Sequence, residues 1–451
     1  MRITLFGILY LFSLSIIAQN WQSLGSGANS GVWVFYTDTA SNSLYVGGNF
    51  GYADNLDVNG IARWDGTAWD SLGSGITGCT FMCLPVKAIA KYNGEIYAGG
   101  SFPNMGGIPN RIAKWDGNNW SDISGGVQGI VSEFMVYNNE LYVGGTFDTA
   151  GTVAANGLAK WNGTQWSDVY GLPNYFSPNQ NSIMALEVYN GELYVAGNFS
   201  DTGGYRDIVK YDGANWVPLE NGILGGIGGI NTMVVYKGEL YVGGLFYKSA
   251  GNVDDNIMKW NGSNWSEVAG GVDPLNGQVY DMIVYNGELY VVGEFLSAGG
   301  VPANRIAKWD GTEWCGLGSS FDNTILAVGV LNNMLYIGGG FWTIDGDSIS
   351  RIAKWTGGSY VDTCGAIIGV EQLTINDEQI TVYPNPARSQ LSIKGNIDIP
   401  ATFELYDITG RKVKQEAVGN GSIDVSSLAK GLYVWQIKTP DVSVRGKFIK
   451  Q

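Results

Sequence analysis

The chain has 451 residues, 45% of them hydrophobic and 15% charged, with 67 glycines, 25 tyrosines and 16 tryptophans. Many turn formers and aromatics with few charges describe an all-β protein and exclude a helical bundle or a disordered polymer. The formal charge of −15 excludes the basic footprint that nucleic acid demands, and the absence of histidine removes the commonest general base and transition-metal ligand.

Arg2 precedes an uncharged apolar run from Leu5 to Ile17, and Ala18 offers a small residue for cleavage. Residues 1–18 therefore read as a secretory signal peptide, too short for a stable membrane span. Cleavage would leave Gln19 first. No later apolar run is long enough for a spanning helix, so the mature chain is expected to lack a transmembrane segment.

Residues 19–369 hold an internal repeat. Leu-Tyr-Val-Gly-Gly-x-Phe, or a near copy, recurs around Tyr45, Tyr97, Tyr142, Tyr194, Tyr241, Tyr290 and Tyr336, roughly every fifty residues. Each copy is followed by an Ile-Ala-Lys-Trp-Asp-Gly-x-x-Trp element, as in Trp115/Trp120 and Trp309/Trp314. One unit reads as four strands. Ile183 to Tyr189 is apolar and β-branched, and Asn190-Gly191 is a two-residue hairpin turn. Glu192 to Phe199 is the second strand, Asp207 to Tyr211 the third, and Asp212-Gly213 turns the chain into the fourth near Trp216. Seven such units predict a seven-bladed β-propeller. The order of features (a double glycine ending strand two, an aromatic in strand three, a Trp in strand four) resembles kelch and galactose-oxidase-type propellers. Copper chemistry of the latter kind is excluded by the missing histidines, and no other cofactor or metal is expected. Trp21 to Gly25 reads as a lone fourth strand that completes the last blade, with Ser359 to Cys364 competing for that slot.

Four cysteines in an exported chain favour disulfides, and the expected pairs are Cys79–Cys83 and Cys315–Cys364. Connections two-to-three and four-to-one are the long ones and share one face, where a ligand site is expected. Phe81, Tyr175 and Phe176 there could stack on sugar rings. Arg111, Arg305 and Arg351 occupy one equivalent position in three repeats and could clamp a carboxylate, although repeat descent explains them more simply. Acidic loops at Asp54 to Asp57, Asp254-Asp255 and Asp345 to Asp347 read as solvated surface ahead of calcium sites.

Residues 370–380 read as a linker, and residues 381–451 as a second domain. Its alternating segments, from Thr381 to Tyr383 through to Ser443 to Lys450, predict a small β-sandwich. The run Tyr383-Pro384-Asn385-Pro386, then Gly410 and Lys412, then Gly431 and Tyr433, closely resembles the C-terminal sorting domain of type IX secretion substrates (type A). That resemblance implies a translocon and a sortase-like surface protease as partners, and a destination outside the outer membrane.

The fold class is thus all-β, a seven-bladed propeller with a C-terminal β-sandwich. The first function expected is a non-enzymatic module that binds a glycan or a surface protein. A carboxylate-based glycosidase or lyase, and a purely structural adhesion component, are the alternatives. Deleting residues 383–451 is expected to strand the protein in the periplasm. Protease shaving of intact cells tests this, and surface display of the truncation would refute the sorting role.

Overall fold

The computed structural model describes residues 20–77, 85–109, 111–169, 182–200, 206–220, 222–223, 229–248, 251–273, 277–357, 363–364, 374–375, 378–379, 381–383, 387–394, 401–407, 411–418, 422–438 and 443–450. Each repeat folds into an antiparallel sheet of four principal strands. The first strands are Val32–Asp38, Val86–Tyr92, Val127–Tyr137, Ser182–Tyr189, Gly229–Tyr236, Gln278–Tyr285 and Ile325–Leu331, which define blades one to seven. Every first strand contacts those of the two flanking blades, and that of blade seven contacts that of blade one. The sheets therefore close into a ring, and the unit is a seven-bladed β-propeller.

Closure uses both ends of the repeat region. Trp21–Ser23 pairs antiparallel with Ile352–Trp355 as the fourth strand of blade seven, Trp21 opposite Trp355. Trp21 is 1% exposed, lies edge-on to Phe321 and Trp355, and donates its indole N–H to Ser319 Oγ at 3.0 Å. The competing segment is placed elsewhere. Thr363–Cys364 adds a fifth strand to blade six by pairing with Trp314–Gly316. Cys315 and Cys364 form a disulfide across that pairing, 49 residues apart in sequence. Closing a loop of that length restricts the unfolded chain by about 4 kcal/mol. Cys79 and Cys83 lie outside the described residues.

The repeated aromatics tie blade to blade. The strand-four indoles reach back to the connection from the preceding blade: Trp120 to the Leu72 carbonyl (2.7 Å), Trp166 to Ile123 (2.8 Å) and Trp314 to Val268 (2.8 Å). Strand-one tyrosines reach forward to the first hairpin of the next blade, Tyr92 to the Asn139 carbonyl (2.8 Å), Tyr137 to Gly191 (2.9 Å) and Tyr189 to Gly238 (3.0 Å). The rings fill the wedge between sheets while the indole N–H groups satisfy buried loop carbonyls and the phenols tie down the hairpin turns. The first glycine of each pair permits this approach. A Cβ on Gly243 would sit 2.6 Å from Val279 Cγ1 of the next blade.

The propeller unit ends at Cys364 and the second unit spans Gly365–Gln451, so the division precedes the expected boundary at residue 369. Inside the expected linker, Thr374–Ile375 pairs with Glu378–Gln379. The second unit stacks a sheet of Thr381–Tyr383, Gln390–Lys394 and Ser422–Asp424 on one of Thr402–Asp407, Lys412–Ala417, Gly431–Lys438 and Ser443–Lys450. Val382, Leu391 and Ile423 meet Phe403, Leu405, Trp435 and Phe448 in one core, which makes it a small β-sandwich. Glu404, 4% exposed, accepts from Lys412 Nζ (2.6 Å), Lys438 Nζ (2.7 Å) and the Tyr406 hydroxyl (2.7 Å). Those donors hold its carboxyl down to about 2.

Two outcomes are expected. Trp21→Ala should lower propeller stability by about 3–5 kcal/mol, read by calorimetry, because it removes a buried ring from the closing strand. A wild-type melting curve would show that this strand is dispensable. The folded value of Glu404 lies below its ordinary 4.5, so its stabilisation is complete above that pH and lost as pH falls toward 2. Acid unfolding of the sandwich should accordingly show a component in that window which Glu404→Gln removes.

Candidate functional site

Pairing along the inner strands slips by one residue in every blade. The slip lies between Val32 and Val34, Val86 and Ala88, Val131 and Glu133, Ile183 and Ala185, Ile230 and Thr232, Val279 and Asp281, and Ile325 and Ala327. A β-bulge leaves its extra residue unpaired and re-aims the side chain. Here the extra residues are Trp33, Lys87, Ser132, Met184, Asn231, Tyr280 and Leu326, and all of them line one cavity of about 720 Å³. Since its walls come from the first strands of all seven blades, this cavity is the central channel. In six blades the bulge falls near the start of the strand, where the four-to-one connection arrives, and in blade three the strand is extended ahead of it, so the ring of bulges lies toward the long-loop face.

The contrast with the scaffold is chemical. Strand two carries the same tyrosine in every blade, whereas the bulge ring carries seven different residue types. Trp33 is 39% exposed, and Lys87 Nζ lies 5.5 Å from its ring centroid. Burial lowers the pKa of that ammonium. Deeper in the channel, burial pushes the Glu133 carboxyl up to about 8, against the stabilising Phe134 N–H at 2.9 Å, with Asp281 and Glu187 adding repulsion. Asp281 is pushed up to about 7 by burial, although it accepts from the N–H groups of Val328 (2.9 Å) and Met282 (2.8 Å). Glu187 is raised by burial as well. Burial thus favours the protonated form of these groups, and a protonated carboxyl donates a hydrogen bond that a carboxylate cannot. Among the described residues, no cluster of three His, Cys, Asp or Glu suits a metal ion.

The residues anticipated from sequence fall elsewhere. Phe81, Tyr175 and Phe176 lie outside the described residues. Arg111, Arg305 and Arg351 sit in blades two, six and seven and do not converge, so no shared carboxylate clamp exists. Their guanidinium groups hold loop carbonyls: Arg111 that of Ser101, Arg305 that of Phe321 (2.7 Å), and Arg351 that of Gly340 (2.9 Å). Arg351 also stacks 3.7 Å from the Trp342 centroid. Their backbones explain the recurrence. Each precedes strand three at φ 64–69°, and Gly60, Gly157, Asp207 and Asn256 hold the left-handed conformation at the same place in the other blades. In the acidic loops, Asp54, Asp254 and Asp345 accept from the backbone N–H groups of Ser26, Val268 and Ser320. In the tail, Tyr383 ends a strand, and Pro384, Asn385, Pro386 and Gly410 lie outside the described residues. Lys412 holds Glu404, Gly431 takes φ 154°, and the buried Tyr433 donates to the Ala429 carbonyl at 3.0 Å.

Sequence reading missed the channel. Its signal was present as a charged or polar residue interrupting an apolar inner strand, as at Lys87, Glu133, Asn231 and Asp281. Period-two alternation, which a bulge breaks, hid the direction of those side chains.

Comparison with known proteins separates the two units. Residues 381–451 match the family model of the secretion system C-terminal sorting domain. No curated protein matches the chain. Among solved structures, the chain is similar to PorZ, described as an essential bacterial surface component of the type IX secretion system of Porphyromonas gingivalis. The identity is 14% and the TM-score 0.38, over 93% of this chain and 66% of that one. It is also similar to the extracellular domain of BT4673, a putative one-component system from B. thetaiotaomicron, at 13% identity and TM-score 0.41, over 93% and 61%. The chain spans under two thirds of the length of either. Among the described residues no helix is long and apolar enough to cross a membrane. The chain carries a type IX secretion sorting tail and is exported to the cell surface or the extracellular space.

Proposed function

We propose that the propeller is a non-enzymatic recognition module, its repeat kelch-like in layout, that binds a glycan through the long-loop mouth of its central channel. The supporting observation is the bulge ring, seven dissimilar side chains aimed into one cavity by a scaffold that otherwise repeats itself. Trp33 and Tyr280 offer faces for stacking, while Ser132, Asn231 and Gln278 offer neutral donors and acceptors on the same walls. Rings with alternating polar and apolar faces match that mixture, and full charges are few at the mouth. A surface protein segment is the competing ligand. The translocon and its sortase-like protease act on the tail and are separate partners.

A second reading has one observation in its favour. Burial raises the Glu133 carboxyl to about 8 on the channel wall, which favours the protonated form a general acid needs, and Asp281 lines the same channel.

A glycan array probed with the mature chain tests the first reading. Selective binding is expected, weakened at least about tenfold by Trp33→Ala or Asn231→Ala; silence across the array would remove the glycan reading and favour a protein ligand. Tyr175→Ala and Phe176→Ala should weaken the same binding if those side chains reach the mouth. The enzyme reading requires turnover of a glycoside that Glu133→Gln abolishes.

A pH dependence accompanies the buried acid. The folded value of Glu133 lies above its ordinary 4.5, so it costs stability progressively as pH rises toward 8. Glu133→Gln should raise the melting temperature at pH 9 and leave it nearly unchanged at pH 4. An equal shift at both would show that its ionisation is not the cause.

A further inference from the structure

The repeat departs from its hairpin-end rule in two blades: blade seven substitutes the apolar Leu331 and Met334, and blade one substitutes charged and polar residues. In five blades the first strand ends in a tyrosine (Tyr92, Tyr137, Tyr189, Tyr236, Tyr285) and the second opens with a glutamate (Glu95, Glu140, Glu192, Glu239, Glu288). Each glutamate pairs with a strand-three lysine, Lys114, Lys160, Lys210, Lys259 or Lys308, at 2.7–3.1 Å. Blade one has Asp38 for the tyrosine and Ser43 for the glutamate, joined by a four-residue turn where the others use two. It also has Arg63 in place of the lysine. Blade two contributes Lys91 at a position that is valine in blades three to seven. Lys91 Nζ reaches across the seam to Asp38 at 2.7 Å, and Arg63, lacking its glutamate, turns to Asp70 of strand four.

These changes remove a tyrosine ring and a Lys–Glu pair from the wedge and leave a cavity of about 360 Å³. It is lined by Asp38, Tyr45, Arg63, Asp70, Lys91 and Trp115, beside the hairpin turns at Gly94 and Gly117. It therefore opens toward the hairpin face, opposite the channel mouth. The volume is in the range of small-molecule sites, about 300–1,000 Å³. Both cations in the walls already face a carboxylate. An incoming anion would have to break one of those pairs, and an incoming cation would meet Arg63 and Lys91. Neutral hydroxyl groups can bridge both without breaking either. The Trp115 ring supplies an apolar wall.

We infer that the seam between blades one and two is a second binding site, specific for a neutral, polyhydroxylated ring such as an uncharged hexose or N-acetylhexosamine unit. It lies toward the opposite face from the channel mouth, and Lys91 lines both cavities. The site arises because blade one departs from the rule that blades two to six keep, and its changes are matched by ion pairs that line the cavity, Lys91 with Asp38 and Arg63 with Asp70.

The test is calorimetric titration of the mature chain with glucose, galactose, mannose and N-acetylglucosamine, and separately with inorganic phosphate and sulfate. One variant restores the repeat rule through Asp38→Tyr, Ser43→Glu, Arg63→Lys and Lys91→Val, filling the seam with residues the other blades already accommodate. A second is Trp115→Ala, and Trp33→Ala reports the channel. The expected result is binding of at least one sugar, unaffected by Trp33→Ala and weakened at least about tenfold by both seam variants. The inference is overturned if no sugar binds, if only the anions bind, or if the restored seam binds as well as the wild type. Binding lost only in Trp33→Ala would assign the sugar to the channel and leave the seam without a ligand.

Discussion

A propeller has no core of its own until the ring is shut. Each sheet covers the face of the next, so every blade needs a neighbour on both sides, and an open ring leaves two flanks exposed to water. Here the last neighbour is secured by pairing Trp21–Ser23 with Ile352–Trp355, with Trp21 sealed between Phe321 and Trp355. The ties between blades run in two directions, indoles backward and phenols forward. Neither ladder means anything on a terminal blade with no partner. The three residues of the closing strand therefore govern contacts made by hundreds of others.

Repetition also explains where chemistry can be placed. Residues that pack blade against blade must satisfy one geometry seven times and cannot vary freely. The bulge positions escape that demand, because an unpaired residue over an open channel is free of the ladder, and Asn231 uses that freedom to donate to the Val279 carbonyl of blade six at 2.8 Å. Blade one escapes it differently, by replacing a whole packing unit at a single seam. Both candidate sites are thus departures from the repeat, one permitted by the backbone and one made by compensating side chains.

The architecture was legible in the sequence because its causes are local. Two-residue turns such as Asn190-Gly191 and Asp212-Gly213 fix strand ends, and the repeat supplies the blade count. Closure was legible too, since Trp21 matches the strand-four tryptophans with no strands before it. The channel was not. It is built by residues more than two hundred positions apart, such as Trp33 and Tyr280, and by a register slip that reverses the face that alternation assigns. The arginines misled for a related reason. Arg111, Arg305 and Arg351 recur because a left-handed backbone position and a loop carbonyl recur, and equivalent places on a ring point away from one another.

The Cys315–Cys364 bond has a mechanical meaning. Wherever the tail is gripped, tension enters the propeller at Cys364, the last residue of that unit. Without a covalent bridge, load would pass back along the chain to Trp355 and unzip blade seven one hydrogen bond at a time. The disulfide diverts it into the last strand of blade six, bypassing the non-covalent latch. A thiol reductant would thus leave a pull on the tail to be resisted by non-covalent strand pairing alone.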